Sequence, residues 1–278
     1  MKFKFLSIAI AASAMLSGCA TTPLQYRKVL QEHGGLPSAQ LIQNVEFKDQ
    51  PAGSCGPVTL SMAMQASGKS ISPEVLAGQM LTPGLNGSLQ EDLVGSARRN
   101  GMLAIPVRNF NDLLVEISAG HPVIVFENLG LDWYPQWHYA LVLGFDFPNQ
   151  EVIMHSGHTP YLHESMKVFE NSWKLSDYWA LVILPLGELA SSGNEREHVK
   201  AAVALEGAAK PYEAAIVYES ILKKWPDSLV AAIGLSNIYF TQGKKMDAKT
   251  LLLKSQRFHP ESEAIRNNLA VIAKAASR

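Results

Sequence analysis

The chain has few cysteines and no surplus of basic residues, and both shortages narrow its possible functions. Only two cysteines occur in 278 residues, and 24 Lys and Arg residues are balanced by 25 Asp and Glu residues. A nucleic-acid partner is not expected, because nothing supplies the positive surface that binds phosphates. With 47% hydrophobic and 18% charged residues the chain is too apolar to be disordered as a whole, and its length predicts about two domains.

Long apolar runs and several common site motifs are also missing. No run of about eighteen apolar residues occurs after the first twenty positions, so no membrane span is predicted there. HExxH, G-x-S-x-G, Walker and dinucleotide motifs are absent, and no metal or cofactor is predicted. His155, His158 and His163 fall within nine residues but lack the spacing of a metal site, and we interpret them as solvated.

The N-terminus predicts export and a lipid anchor. Lys2 and Lys4 precede the apolar stretch 5–16, which is typical of a signal peptide. The next residues, Leu16-Ser17-Gly18-Cys19, resemble the lipobox of bacterial lipoproteins. This resemblance implies that residues 1–18 are removed and that Cys19 is acylated. The mature chain is then expected on the periplasmic face of the outer membrane, held by its acyl chains.

Composition divides the rest of the chain into four regions. Residues 19–46 are predicted to be a tether, and residues 47–186 combine one helical segment with several β-rich runs. Residues 187–196 are rich in Gly, Ser and Asn and predict a linker. Residues 197–278 are rich in alanine and have a helical pattern.

The helical region contains a repeat of 34 residues. Trp225-Pro226-Asp227-Ser228 recurs as His259-Pro260-Glu261-Ser262, and Ala214 and Ala248 share the same offset. This period is that of tetratricopeptide repeats, which stack helical hairpins and present a surface to a protein partner. A generic pair of helical hairpins with a coincidental period is the alternative.

Cys55 is the candidate nucleophile. The turn-forming residues 51–54 precede it and a helical apolar pattern begins at Val58, which places the thiol near a helix N-terminus. Unpaired amides and the helix dipole favour the thiolate there. Gln50 lies five positions upstream, where its amide could face an oxyanion. A buried structural cysteine is the alternative interpretation, although an acylated Cys19 would leave Cys55 without a disulfide partner.

A nucleophilic cysteine needs a base on another element, and His138 is the best candidate. It opens the β-rich run 137–143, whereas His121 enters another predicted strand. The aromatic residues just before it are interpreted either as core or as the wall of a substrate cleft. They are Trp133, Tyr134 and Trp137.

Taken together, three segments resemble the papain-like bacteriocin-processing (double-glycine leader) cysteine peptidases, in the lipoprotein branch with C-terminal tetratricopeptide repeats. The segments are Gln50 with Cys55-Gly56-Pro57, the run 120–125, and the run 137–144. The resemblance implies an α+β papain-like domain, in which an N-terminal helix packs on an antiparallel sheet, followed by an all-α tetratricopeptide-type domain. It also implies that Cys55 is the nucleophile, His138 the base and acid, and Gln50 the oxyanion donor.

The third catalytic position departs from the family pattern. Members usually carry an Asp on the next strand, and here His155 occupies the corresponding place in the run 151–157. A neutral imidazole stabilises an imidazolium less than a carboxylate does. Asp146 lies eight residues from His138, about 26 Å of extended chain, and is too distant to replace it.

The resulting prediction is a lipid-anchored cysteine peptidase that acts on a peptide or protein substrate. An inactive papain-like module that binds a periplasmic partner through its cleft and repeats is one alternative. A cell-wall peptide amidase or transamidase that uses the same dyad is the other.

Overall fold

The computed structural model describes residues 24–80, 84 and 87–276, so the predicted signal peptide and Cys19 lie outside the described residues. The helices before residue 186 are α1 (Gln25–Gln31), α2 (Cys55–Ala66), α3 (Pro73–Met80), α4 (Gln90–Arg99), α5 (Phe110–Ser118) and α6 (Met166–Trp173). The strands are β1 (Ala39–Leu41), β2 (Met102–Val107), β3 (Val123–Asn128), β4 (Trp137–Asp146), β5 (Glu151–Ser156), β6 (Thr159–Ser165) and β7 (Ala180–Pro185). No helix of the described residues is long and apolar enough to cross a membrane.

The strands form one antiparallel sheet in the order β2-β7-β3-β4-β5-β6, and β1 pairs with β4. This extra pairing is possible because β3 begins at Val123, opposite Val142, and leaves the later part of β4 free on that side. Gly144 lies in this later part, and a Cβ atom there would approach the Gln40 carbonyl oxygen of β1 to 2.6 Å. A glycine is therefore needed for β1 to pair closely.

Both faces of the sheet are buried, since helices cover each of them, and alternate residues of a strand point to opposite faces. Ala140 and Val142 of β4 belong to a core covered by α1, α5 and α6. Tyr139 and Leu141 belong to a second core covered by α2, α3 and α4. The predicted helix on an antiparallel sheet is therefore confirmed. The prediction of one helical segment in residues 47–186 is wrong, because the described residues there form five α-helices, α2 to α6, on both sides of the sheet.

Helix α2 is mostly apolar, and every residue from Gly56 to Met64 is buried, including the hydrogen-bonded Thr59 and Ser61. Such a helix is stable only inside a core, where apolar burial contributes about 25 cal/mol per Å². It lies between the sheet and α3, so its first residue is held firmly.

Part of the predicted tether is folded onto the domain. Helix α1 begins at Gln25, and the backbone amides of Gln25 and Tyr26 donate to the Glu170 carboxylate of α6 at 2.6 and 2.7 Å. This carboxylate satisfies helix amides that would otherwise lack partners. Only four residues of sequence separate Cys19 from Leu24, the first described residue.

The predicted all-α C-terminal region is confirmed. It consists of α7 (Glu195–Gly207), α8 (Pro211–Lys224), α9 (Leu229–Thr241), α10 (Lys245–Gln256) and α11 (Glu263–Ala276). Ala214 and Ala248, which share the 34-residue offset, are both fully buried. Ala202 and Leu205 of α7 continue the same core as Ile105 of β2, so the helices and the sheet share one hydrophobic interior. That the repeats are of the tetratricopeptide type stays a prediction.

The segment between sheet and helices, predicted as a linker, is held by buried polar contacts. The backbone amide and hydroxyl of Ser192 both donate to the Glu116 carboxylate at 2.6 Å. The His121 ring lies between Glu116 and Glu188, at 2.7 and 2.8 Å. The segment is therefore tied to α5 and to the start of β3.

Candidate active site

Cys55 is the first residue of α2, and its free thiol is half-buried. The turn before it uses Gly53 at a φ of +78°, and the Ser54 hydroxyl donates to the Pro51 carbonyl oxygen at 2.6 Å. Gly56 allows close packing, because a Cβ atom there would lie 2.9 Å from the Ser88 side chain. The thiol thus lies at the N-terminal end of a rigid helix, where unpaired amides favour negative charge.

Gln50 is buried and its side-chain amide is engaged at both ends. Its Nε2 atom donates to Thr59 Oγ1 at 2.9 Å, and the Thr59 hydroxyl donates to the Tyr139 carbonyl oxygen at 3.2 Å. An amide nitrogen carries two hydrogens, so one remains for an oxyanion. Thr59 lies one helical turn after Cys55, on the same face of α2.

The turn between β5 and β6 holds Gln50 from its other end. The Gly157 amide donates to Gln50 Oε1 at 2.9 Å, and the Gln50 amide donates to the Gly157 carbonyl oxygen at 3.2 Å. Gly157 adopts a φ of +57°, which a two-residue hairpin turn favours at its first position. Ser156, directly before it, places its Oγ atom 3.1 Å from His138 Nε2.

Four hydrogen bonds and two pairs of neighbouring residues, Ser156–Gly157 and His138–Tyr139, form a closed ring. It runs from Thr59 to Gln50, through the Ser156–Gly157 turn to His138, and back through Tyr139 to Thr59. Cys55 lies one helical turn from Thr59. The ring thus joins the predicted oxyanion donor to the predicted base and, through Thr59, to α2, whose first residue is the predicted nucleophile. Tyr139, and not His138, faces the core that α2 covers.

The protonation of His138 is set by its surroundings. Burial lowers the pKa of His138 below its ordinary value, so the ring is neutral at neutral pH. Its Nε2 atom faces the Ser156 hydroxyl, and its Nδ1 atom has no hydrogen-bond partner among residues 24–80, 84 and 87–276. A neutral ring with a free nitrogen can act as a general base.

Glu127 lies directly opposite His138 in the β3–β4 pairing, on the same face of the sheet. It is buried, and burial raises its pKa to about 7, although the Ser172 hydroxyl donates to it at 2.6 Å. A carboxyl group with this pKa is only partly ionised at neutral pH and therefore carries less negative charge beside His138 than an ordinary glutamate would. Glu127 was not predicted, because its nearness to His138 depends on the pairing of β3 with β4.

His155 is not brought to His138. Its ring is fully buried, its Nε2 atom donates to the Val45 carbonyl oxygen at 3.0 Å, and its Nδ1 atom accepts from the Tyr161 amide at 3.1 Å. Burial lowers the pKa of His155, although the Val45 contact opposes this effect. Both ring nitrogens of a neutral imidazole are therefore occupied by the backbone.

The physical reason is the alternation of side chains along β5. His155 pairs with Leu141, on the face opposite to His138, whereas the next residue, Ser156, points to the His138 side. A shift of one residue along the strand reverses the face, so Ser156 occupies the place that was expected for His155. Thr59 and Ser156 were not predicted, although Thr59 follows Cys55 by four residues, a detectable helical spacing.

The other polar candidates lie elsewhere. Asp146 ends β4, far from His138, and accepts from the Asn149 amide at 3.0 Å. His158 pairs with Asp49, and His163 pairs with Glu151. No group of three or more metal-ligating side chains occurs among the described residues.

The aromatic residues before His138 divide into two groups. Trp137 stacks on Phe126, with ring centroids 5.0 Å apart, and is half-exposed beside His138. Trp133 and Tyr134 project further out and are 81% and 64% exposed, so neither belongs to the core. A cavity of about 440 Å³ lies between the starts of α2 and α3, lined in part by Ser54, Pro57 and Pro73, and neither Cys55 nor His138 lines it.

Solved structures resemble about half of this chain. A C39-like peptidase from Bacillus anthracis has 16% identity and a TM-score of 0.44, covering 53% of this chain and 98% of the other. The peptidase domain of Streptococcus ComA, a bifunctional ABC transporter, has 19% identity and a TM-score of 0.43, covering 51% and 99%. A double glycine motif protease from an AMS/PCAT transporter, solved with its leader peptide, has 18% identity and a TM-score of 0.39, covering 52% and 98%.

No curated protein matches the chain. The Peptidase_C39 like family matches residues 42–180, which is half of the sequence. The matched range includes Gln50, Cys55, Ser156 and His138, and it contains strands β2 to β6 and the first residue of β7. The chain therefore belongs to the Peptidase_C39 like family of papain-like cysteine peptidases.

Proposed function

We propose that this chain is a lipid-anchored periplasmic cysteine peptidase that hydrolyses amide bonds in a peptide or protein substrate. The observation that carries the proposal is the closed ring described above, which joins Gln50 and His138 to Thr59 of α2, the helix that begins at Cys55. In the proposed site the Cys55 thiol, the His138 ring and the Gln50 amide act on the same carbonyl group.

In the proposed reaction, His138 Nδ1 takes the proton of the Cys55 thiol as the sulfur attacks the substrate carbonyl carbon. The Cys55 backbone amide and the second hydrogen of Gln50 Nε2 stabilise the oxyanion of the tetrahedral intermediate. His138 returns the proton to the leaving amine, and a thioester forms. Water then attacks the thioester, with His138 as base, and releases the carboxylic acid.

The side chain that contacts the His138 base differs from the one in a catalytic triad, where a carboxylate holds the imidazole. A Ser156 hydroxyl orients His138 but supplies no negative charge, and Glu127 is partly neutral. Because burial also disfavours the imidazolium, His138 starts as a neutral base. We therefore expect slower turnover than a carboxylate-supported dyad would give.

The absence of a carboxylate at Ser156 also favours the second candidate, an inactive module that binds a periplasmic partner in its cleft and on its helices. A transamidase would use the same thioester with an amine in place of water, and the products distinguish it from a peptidase. Acylation at Cys19 and location at the outer membrane belong to the proposal, with the lipobox-like residues 16–19 as their support.

Iodoacetamide alkylation of Cys55 and cleavage of a mixed peptide library test the proposal in the full chain. We expect Cys55→Ala to abolish cleavage and His138→Ala to reduce it by at least about a thousandfold, because each removes a group that forms or breaks a bond. His138→Ala should also slow alkylation at pH 7 by at least about tenfold.

His163→Ala is the matched control, because His163 is an exposed histidine with a carboxylate partner, outside the ring. It should leave both measurements unchanged. Alkylation that is independent of His138, together with no cleavage of any peptide, would reject the peptidase and favour the binding module.

A further inference from the structure

The connection between β3 and β4 carries four large apolar side chains that are more than half exposed, of which Trp133 and Tyr134 contact each other with ring centroids 6.1 Å apart. Leu129, Leu131, Trp133 and Tyr134 are 54%, 56%, 81% and 64% exposed. We call these four residues the apolar tip. Isolated exposed apolar residues are common, but four within six positions form a continuous patch that usually marks an interaction surface.

The apolar tip is held rigidly. The Leu129 amide donates to the Gln136 carbonyl oxygen at 2.9 Å, and Leu131 and Tyr134 exchange backbone hydrogen bonds at 3.1 and 3.0 Å. The buried Asn128 side chain accepts from the amides of Gly130 and Gln136, both at 2.9 Å. The hairpin thus presents its apolar side chains in a fixed arrangement, which lowers the entropy cost of docking.

The charge around the apolar tip identifies the kind of surface that it fits. Asp132 is the one charged residue between Leu129 and Tyr134, and no Lys or Arg occurs between Arg108 and Lys167 in the sequence. A polyanion would not be attracted to this region. Trp, Tyr and Leu together are instead typical of side chains that enter the interface between lipid headgroups and acyl chains.

The position of α1 places this tip on the same side as the predicted anchor. Gln25 Oε1 accepts from the Phe110 amide at 2.8 Å, just after β2 ends at Val107. Val107 and Val125 both pair with Ala180, so β2 and β3 run to the same end of the sheet. The start of α1 and the apolar tip therefore share one end of the domain.

The sequence between anchor and domain is short. Five peptide steps from Cys19 to Leu24 span at most about 18 Å. A domain tied this closely to acyl chains must rest against the lipid headgroups with some part of its surface, and the apolar tip lies at the tied end.

We propose that the apolar tip inserts into the lipid interface and orients the candidate active site at the membrane surface. This inference rests on the proposed acylation of Cys19. It assigns the tip to a membrane rather than to a peptide or a second copy of the chain, because an acylated Cys19 would hold the tip close to the lipid headgroups.

The test uses the full chain with its own signal, purified from bacterial membranes and reconstituted in vesicles of phosphatidylethanolamine and phosphatidylglycerol. Brominated phosphatidylcholine is added as a quencher of tryptophan fluorescence. The difference between the unchanged chain and Trp133→Phe isolates the Trp133 signal, and we expect brominated lipid to reduce that signal at least twofold. Leu131→Ser should at least halve this quenching.

Tyr212→Ser is the matched control, since Tyr212 is an equally exposed aromatic residue on α8, and it should leave the quenching unchanged. Mass spectrometry of the N-terminal peptide tests acylation separately. An acylated chain whose Trp133 is not quenched overturns the tip proposal and leaves the anchor standing, whereas an unacylated chain overturns the anchor. Protection of Trp133 by a peptide, or self-association lost in Leu131→Ser, would assign the tip to a substrate or a second copy and overturn the proposal.

Discussion

At the scale of single residues, the Ser156 hydroxyl and the His155 ring have distinct tasks although they are neighbours in β5. Ser156 Oγ lies 3.1 Å from Nε2 of His138, the candidate base, and His155 satisfies two backbone groups on the opposite face of the sheet. In the proposed mechanism the first contact orients the base, whereas the second stabilises the fold. Substitutions should therefore separate activity from stability at adjacent positions.

We predict that Ser156→Ala lowers kcat about fivefold to tenfold with little change in stability, because one orienting hydrogen bond of about 1 kcal/mol is lost. His155→Ala should instead lower the free energy of unfolding by about 2–4 kcal/mol, because the Val45 carbonyl and the Tyr161 amide lose a buried partner. Peptide cleavage and urea unfolding measure the two effects.

The substitution Ser156→Asp adds a readout that a purely structural role would not change. A carboxylate at this position would raise the pKa of His138, so the acidic limb of the kcat/KM profile should move to higher pH. Thr159→Ala, at an exposed position across the same turn, is the control and should leave the profile unchanged. Equal effects of Ser156→Ala and Thr159→Ala would contradict the assignment of Ser156.

At the scale of elements, the pairing of β1 with β4 depends on one missing side chain. We predict that Gly144→Ala lowers the free energy of unfolding by about 1–3 kcal/mol, because its Cβ atom would meet the Gln40 backbone oxygen at 2.6 Å and the strands must separate. Hydrogen exchange at the β1 amides should then accelerate.

Gly78→Ala is the control for this substitution. Gly78 lies inside α3 with open space around it, so an alanine there should increase stability by about 0.5–1 kcal/mol. Unchanged exchange in β1 of Gly144→Ala would show that the strands tolerate the added carbon atom.

Local patterns predicted some elements well, and long-range contacts determined the others. The turn before Cys55 and the apolar run after it were sufficient to place α2, and the apolar run after His138 was sufficient to place β4. Helix α1 was not predicted because its seven residues are mostly polar and its N-terminus is satisfied by Glu170, about 145 positions away. The ring around Gln50 likewise joins four separate segments.

The face of a strand residue was the part of the site that sequence reasoning could not determine. The family pattern put His155 at the third catalytic position, and only the register of β5 against β4 shows that Ser156 reaches His138 instead. Glu127 was missed for the same reason, since its nearness to His138 exists only through the β3–β4 register.

At the scale of the whole molecule, a buried ionic cluster joins the sheet to the segment before α7. Burial by itself raises the pKa of Glu116, but hydrogen bonds from His121 and Ser192 outweigh burial and bring that pKa below its ordinary value. The hydrogen bond to Glu116 raises the pKa of His121 more than burial lowers it, with a further contribution from Glu188.

This cluster predicts a pH-dependent stability. A histidine whose folded pKa is raised stabilises the fold fully below its unfolded pKa, about 6.5, and this contribution disappears as the pH rises through the folded value. We predict that His121→Gln lowers the free energy of unfolding by about 2 kcal/mol at pH 6 and by less at pH 9. Urea unfolding at both pH values measures the difference.

His163→Gln serves as the reference for surface histidines, because the exposed pair of His163 and Glu151 contributes little. It should change stability by less than about 0.5 kcal/mol at either pH. An equal loss for His121→Gln at pH 6 and pH 9 would show that the ring acts through packing alone.

The interior shared by Ile105 of β2 with Ala202 and Leu205 of α7 has a consequence for how this protein can be divided. The change of composition near residue 187 suggests a place to divide the chain, but a cut there would expose the apolar side chains of the sheet that α7 covers to water. A shortened form without the helices would therefore need polar substitutions on that side of the sheet.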